Sequence, residues 1–252
     1  MEISFESWRN YFLQNKKHFS HITKSGLQEL TAHEKKLLTK PIQQFQRGES
    51  SEGFHLLLAA NMYNAEYGKA VTHFIKEEQK HAAVLACYMR QERIPSIKNH
   101  WTDSVFRNLR KYFGVQHTVM VLLSAEIIAT VFYRALHNAS SSRTLQKICT
   151  QIMSDEEMHI NFQSFALQHM RANLSKATIL LLRLYQIILM TGTSVVVWLC
   201  YYEVFKAGGY SLSRYVEAVK EEFVRADKMT NGNVGIEIRT PVVKYMEEEV
   251  LI

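Results

Sequence analysis

The chain has little of what punctuates β structure and little of what staples small secreted domains. Its 252 residues include 3 prolines and 10 glycines, too few for the many tight turns of an all-β protein, so an all-α fold is expected. Cysteine is as scarce. Cys87, Cys149 and Cys200 stand far apart in apolar helical contexts, which argues against a disulfide framework or a zinc site and predicts buried free thiols in a reducing compartment. The N-terminal stretch Met-Glu-Ile-Ser-Phe-Glu-Ser-Trp lacks the basic and apolar regions of a signal peptide, and a cytoplasmic location is the matching expectation. A clean membrane-length run is missing too. Residues 179–205 are strongly apolar, but Arg183, Gln186 and Thr191-Gly192-Thr193 interrupt them, so they read as a buried helix without stable membrane insertion.

What is present is an ordinary globular composition, 47% apolar and 21% charged, long enough for a single domain with a sizeable core. The formal charge is +6. Its densest groups, Lys35, Lys36 and Lys40, then Arg107, Arg110 and Lys111, fit the polar faces of helices, and no nucleic-acid motif accompanies them. The group around Arg107 is a candidate docking surface for an acidic partner.

Residues 1–30 carry Trp8, Tyr11, Phe12, Phe19 and Ile22 among polar residues and read as an amphipathic cover segment. Thr31-Ala-His-Glu34 has the form of a capping box and opens the first long helix. Pro41 predicts a kink or break, after which the helix resumes at Ile42 and runs through Leu58. Asn61-Met-Tyr-Asn64 reads as a turn, with Asn64 capping a second helix over residues 65–93 that Pro95 stops. Residues 94–115 read as a long connection with its own short helix over 103–113, on which Val105, Phe106, Leu109 and Phe113 fall together. A third helix is expected over 117–136 and a fourth over 144–170, joined by a Ser-rich turn. Residues 31–174 would thus form the main bundle, 175–227 additional packing helices, and 228–252 a tail with a turn at Asn231-Gly-Asn-Val-Gly235.

One pattern occurs twice. Phe74-Ile-Lys-Glu-Glu-Gln-Lys-His81 returns as Ile152-Met-Ser-Asp-Glu-Glu-Met-His159. Residues three apart share a helix face, so Glu78 meets His81 and Glu156 meets His159. Two such pairs on two helices can deliver two carboxylates and two imidazoles to one buried point, as in bundles that hold two iron or manganese ions. That geometry needs one more carboxylate from each remaining helix. Glu126 precedes Glu156 by 30 residues and is the one acid in a long apolar stretch, where an unpaired buried carboxylate is costly. In the first half there are two contenders: Glu49, 29 residues before Glu78, and Glu52, 26 before it. Glu49 is favoured because it follows the small residue Gly48 as Glu126 follows Ala125. Glu52 stands as a substitute ligand or a supporting carboxylate. The acids preceding each motif, Glu77 and Asp155, are placed to bond the ring nitrogens of the ligand histidines and fix their tautomers. Leu56, Phe74, Leu122, Tyr133, Ile152 and Phe162 are candidates for a pocket holding an aliphatic substrate. His33, His55, His73, His100, His117 and His169 have no comparable context.

Around these motifs the chain resembles the di-iron carboxylate oxidases of the ferritin-like superfamily. Residues 145–159 are similar to the second metal helix of plant-type acyl carrier-protein desaturases, and Glu77-Glu-Gln-Lys-His81 to their first. Gly48-Glu49, followed by Glu126 and by His159-Ile-Asn-Phe162, resembles the aldehyde-deformylating oxygenases. The resemblance covers about residues 42–170; segments 1–30 and 210–252 match neither family. It implies a four-helix bundle of two helical hairpins joined by a long crossover, with extra N- and C-terminal helices. Its six ligands would be Glu49, Glu78, His81, Glu126, Glu156 and His159, with Glu78 and Glu156 bridging. It further implies two iron ions (or manganese, which shares the ligand set), dioxygen as co-substrate, and a small or carrier-bound apolar substrate. The electron donor would be external, such as a ferredoxin, and a homodimer is the assembly to test. The competing expectation is a non-catalytic or peroxide-scavenging iron-binding protein.

Overall fold

A computed structural model describes residues 3–19, 22, 28–50, 53–97 and 114–239 of the chain. The expected helix at 103–113, the basic group around Arg107 and the carboxylate of Glu52 lie outside these residues. Among the described residues the structure is helical, with no strand.

Short polar side chains start most of the helices. Ser4 caps α1 (Phe5–Gln14), which passes into a 3-10 turn at Asn15–Lys17. Thr31 and Glu34 form the expected capping box at the start of α2 (Ala32–Glu49). Asn64 caps α4 (Ala65–Gln91) through the amide of Tyr67, and Ser142 caps α6 (Arg143–Arg171) through that of Leu145. Between these lie α3 (Phe54–Tyr63) and α5 (Val115–Ala139). Ser175 and Ser211 cap α7 (Lys176–Ala207) and α8 (Leu212–Thr230). Each cap satisfies an amide that the helix itself leaves free.

Pro41 does not break its helix: α2 continues through it to Glu49. A proline deletes one backbone bond, a loss a packed helix can absorb when both flanks are held; here Leu38 and Ile42, on either side, are fully buried. The interruption comes instead at Gly53, with φ 63°, where a side chain would meet Ile75 at 2.5 Å. A left-handed backbone with no room for a Cβ calls for glycine.

The core is continuous. α5, lined by Val119, Ile127, Val131 and Phe132, packs along α6, while α2 and α1 pack on α4. Phe5, Trp8, Tyr11 and Phe12 of α1 are buried, with Trp8 and Phe12 meeting Phe162. The turn before α6 is held by two acids from the first half of the chain: Glu29 accepts from Ser142 and Thr144, and Glu34 from the amide of Ser141.

Two expectations fail around α7. It is one helix across Thr191-Gly192-Thr193, with a local departure only at Tyr201 (φ −129°, ψ 18°), and it is not a buried helix. α5 and α7 are each long and apolar enough to cross a membrane, but the most apolar window of α5 is 78% buried and that of α7 only 11%. Cys200, on α7, is accordingly exposed, whereas Cys149 is buried and Cys87 half-buried. Beyond α8 the chain turns at Asn231 and returns over α6, where the carbonyl of Glu237 accepts from Asn161 and Arg239 pairs with Glu157 at 2.6 Å.

α7 is seated on α5 where Gly208 approaches Ala135; a Cβ there would lie 2.4 Å from the Ala135 carbonyl oxygen. Gly208→Ala is therefore expected to lower stability by about 1–3 kcal/mol, read as a drop in the urea midpoint, whereas Gly192→Ala, with nothing within 4 Å, should cost far less.

Candidate metal centre

Four helices converge on one buried point. Glu49 is the last residue of α2, Glu78 and His81 lie mid-α4, Glu126 lies on α5, and Glu156 and His159 lie mid-α6. His81, Glu156 and His159 have no solvent exposure. The six residues form two overlapping groups, Glu49, Glu78, His81 and Glu156, and Glu78, Glu126, Glu156 and His159. In each, the ligand atoms lie within 4.8 Å of one another. Each group has the number and kind of donors that hold a metal ion, and Glu78 and Glu156 belong to both.

The distances show how the shared carboxylates are aimed. The Nδ1 of His81 lies 3.6 Å from an oxygen of Glu78 and 3.6 Å from Oε1 of Glu156. The Nδ1 of His159 lies 3.0 Å from Glu78, 3.4 Å from Oε2 of Glu156 and 4.0 Å from Glu126. The two oxygens of Glu156 thus face different imidazoles. Neither of them, nor the Nδ1 of His81 or His159, has a hydrogen-bond partner of good geometry among the described residues. Buried polar atoms left unpaired are costly, and these converge on common points. Carboxylate oxygens and imidazole nitrogens are the donor set of a divalent transition metal, so the residues fit a cation.

Electrostatics points the same way. Burial, followed by the charges of Glu126, Glu78 and Glu49, pushes Glu156 well above the usual carboxylate range. Burial and then Glu78 push Glu49 up to about 8. Without a cation these acids keep protons; with one, the protons are displaced.

A ring of neutral donors orients the outer carboxylates. Tyr133 donates to Oε1 of Glu49 at 2.6 Å and Gln163 to Oε1 of Glu126 at 2.8 Å. Burial, then the charge of Glu49, holds the Tyr133 phenol well above its ordinary value, so it stays a donor. Tyr133 therefore supports a ligand and does not line a pocket.

Of the acids before the two motifs, Asp155 alone bonds a ligand-candidate histidine, and it does so across the helix pair. Asp155 of α6 accepts from Nε2 of His81 on α4 at 3.1 Å. Burial alone would raise Asp155, but the His81 bond and the imidazole charges hold it below its ordinary value. Glu77 is bound differently: it accepts from the side-chain amide of Asn15 at 2.5 Å, and the same amide donates to Asp155 at 3.1 Å. His18 completes the group, with Nε2 3.3 Å from Asp155 and Nδ1 against the Asn15 carbonyl. The N-terminal segment is more than cover, because it clamps the two acids behind the ligand histidines. No local pattern marks Asn15 or His18, which lie 62 to 140 residues from the acids they touch.

Beside the carboxylates lies a cavity of about 180 Å³. Leu56, Phe74 and Leu122 line it as expected, together with Glu49, Glu78 and Glu126, and α7 adds Thr193, Val197 and Tyr201. Ile152 and Phe162 are core instead, Phe162 meeting Trp8, Phe12, Tyr67 and Phe74 in tilted and edge-on ring contacts. Comparison with protein-family models, curated proteins and solved structures finds no match to the chain.

Two outcomes test the centre. Asn15→Leu should weaken ferrous or manganous binding by about 10–100-fold, as loss of outer support does, and lower the melting temperature of the metal-free protein, both readable by calorimetry. The second is a pH dependence. Glu49, with an ordinary value of 4.5 and a folded value of about 8, binds more protons folded than unfolded between those limits; burial likewise raises Glu77 to about 8 and Glu156 well above its ordinary value. Metal-free stability should fall as pH rises, on the order of 1 kcal/mol per unit. His18, lowered to about 4 by burial, opposes this only below 6.5, so the fall should be clearest from pH 6.5 to 8. Metal affinity should rise over the same interval, and a flat metal-free profile would contradict protonated carboxyls.

Proposed function

We propose that the chain is a non-haem di-iron oxidase or oxygenase of ferritin-like architecture, acting with dioxygen on an aliphatic or acyl-type substrate. The observation that carries this reading is the pair of overlapping four-ligand groups, sharing Glu78 and Glu156, that opens onto an apolar cavity. Glu49 and His81 would complete one metal position, and Glu126 and His159 the other. Two iron ions so held would supply the electrons that reduce dioxygen, and carboxylate oxygens stabilise the ferric state while imidazole suits both states.

The chain's own residues supply the remainder. Tyr133 and Gln163 aim the outer carboxylates, and Asp155 keeps the proton of His81 on Nε2, leaving Nδ1 for the metal. Leu56, Phe74, Leu122 and Val197 give the chamber walls that exclude water and accept a hydrocarbon chain. The carboxylates lie on one side of this chamber, so a substrate within it would present a carbon to the metal positions. A protective or peroxide-scavenging role needs no such chamber, and that favours the oxidase reading. An external one-electron donor, such as a ferredoxin, fits the absence of any flavin or nicotinamide motif.

Anaerobic loading with ferrous iron should give about two irons per chain and a Mössbauer signature of a coupled pair after oxygen is added. Straight-chain acyl, aldehyde or amine compounds should accelerate oxygen use. Leu122→Trp, which fills the chamber, should abolish that acceleration at unchanged iron content. Less than about one iron per chain, with Glu156→Ala changing nothing, would remove the reading; full loading with oxygen use indifferent to every substrate and to Leu122→Trp would favour the protective role.

A further inference from the structure

α7 carries ten of the exposed large apolar side chains among the described residues; six of them, with Gly192, follow a regular repeat, and Leu180, Leu184, Ile187 and Val196 flank it. Leu181, Ile188, Val195 and Tyr202 are seven residues apart, and Tyr185, Gly192 and Leu199 interleave them in strict alternation of four and three. The most exposed of these are Leu181 at 67%, Ile188 at 70% and Leu199 at 68%. Steps of four and three put a seam on one face of a helix with a 3.5-residue repeat, which is what a second helix packed lengthwise requires. The opposite face of α7 is already committed to the body of the protein, through Gln186, Met190, Val204 and Phe205.

From this we infer that α7 is a homodimer interface, in which two copies of the chain pair their α7 helices antiparallel about a two-fold axis. In an antiparallel pair the two seam positions alternate across the contact. The register centred at Met190 places Leu181 against the partner's Leu199, Tyr185 against the partner's Val195, and Ile188 against the partner's Gly192. The most exposed side chain of the seam thereby enters its one gap, where a glycine with nothing within 4 Å of its Cβ position leaves room. A parallel pair would set Gly192 against the partner's Gly192 and leave a void there, which is unfavourable.

The size is sufficient. α7 spans 32 residues, about 48 Å of helix, and exposes about ten apolar side chains. At roughly 60–100 Å² of apolar surface each, these amount to roughly 600–1,000 Å² per protomer, the scale of a stable interface. The contact also bears on the metal centre's chamber, since Thr193, Val197 and Tyr201 form its wall from the inner side of the same helix. The pairing stands independently of the oxidase reading and needs no metal to test.

Light scattering at micromolar concentration should give twice the 29.3 kDa chain mass. Ile188→Glu with Leu199→Glu should give monomer with unchanged helical circular dichroism and unchanged metal stoichiometry. In a Cys200→Ser background, Leu181→Cys with Leu199→Cys should form an intermolecular disulfide on mild oxidation, while Leu181→Cys alone should not. A monomeric parent protein would overturn the proposal. So would cross-linking by Leu181→Cys alone, or a parent monomer that floats with phosphatidylcholine–phosphatidylglycerol vesicles and stops doing so in the Ile188→Glu, Leu199→Glu variant.

Discussion

Four carboxylates and two imidazoles share one dry space, and most of the structure can be understood as the means of keeping them there. Like charges at such distances repel strongly where water cannot screen them. The acids must hold protons or share a cation, and either solution demands rigid helices that cannot splay apart. The long apolar contact of α5 with α6 and the packing of α2 and α1 on α4 provide that stiffness. The caps and the Glu29 and Glu34 ties at the turn before α6 fix the axial register, so that Glu78 and Glu156 arrive at one level.

Support around the centre is distributed unevenly. The outer carboxylates, Glu49 and Glu126, each receive one neutral donor, from Tyr133 and Gln163. Behind the histidines the arrangement is charged and crossed, with Asp155 of one helix bonding His81 of the other. Asn15 is the amide common to Glu77 and Asp155, so two acids that would otherwise repel are joined through one side chain. The chamber beside the carboxylates is largely apolar and takes one wall from α7. The centre thus has hydrogen-bonded, polar support behind its histidines and a largely apolar chamber beside its carboxylates.

Much of this was legible in sequence because it rests on short-range spacing. Glu-x-x-His is a one-turn relation, and a hairpin places residues equally distant from its turn side by side, which brought Glu126 and Glu49 into the set. Capping boxes are local too. What could not be read depends on distant neighbours. Asn15 and His18 are ordinary polar residues until α4 and α6 lie beside them, and Tyr133 looks like core until Glu49 meets its hydroxyl. Pro41 looked like a breaker, yet buried flanks outweigh one lost bond, while the real interruption was set by Gly53 against Ile75. Hydropathy alone also placed α7 and Cys200 in the core, because an apolar stretch reads the same whether it is covered by its own chain or faces outward.

The bond from Asn15 to Asp155 spans 140 residues, and it sets an order of events. The segment carrying Asn15 has nothing to bind until α6, much later in the chain, has paired with α4. Its docking is a late step, with the loop-closure entropy of a long separation set against it. During that interval the two acids behind the histidines lack their shared amide and lie open to water. The polar support behind the two histidines is thus completed only after the helices that carry them have paired.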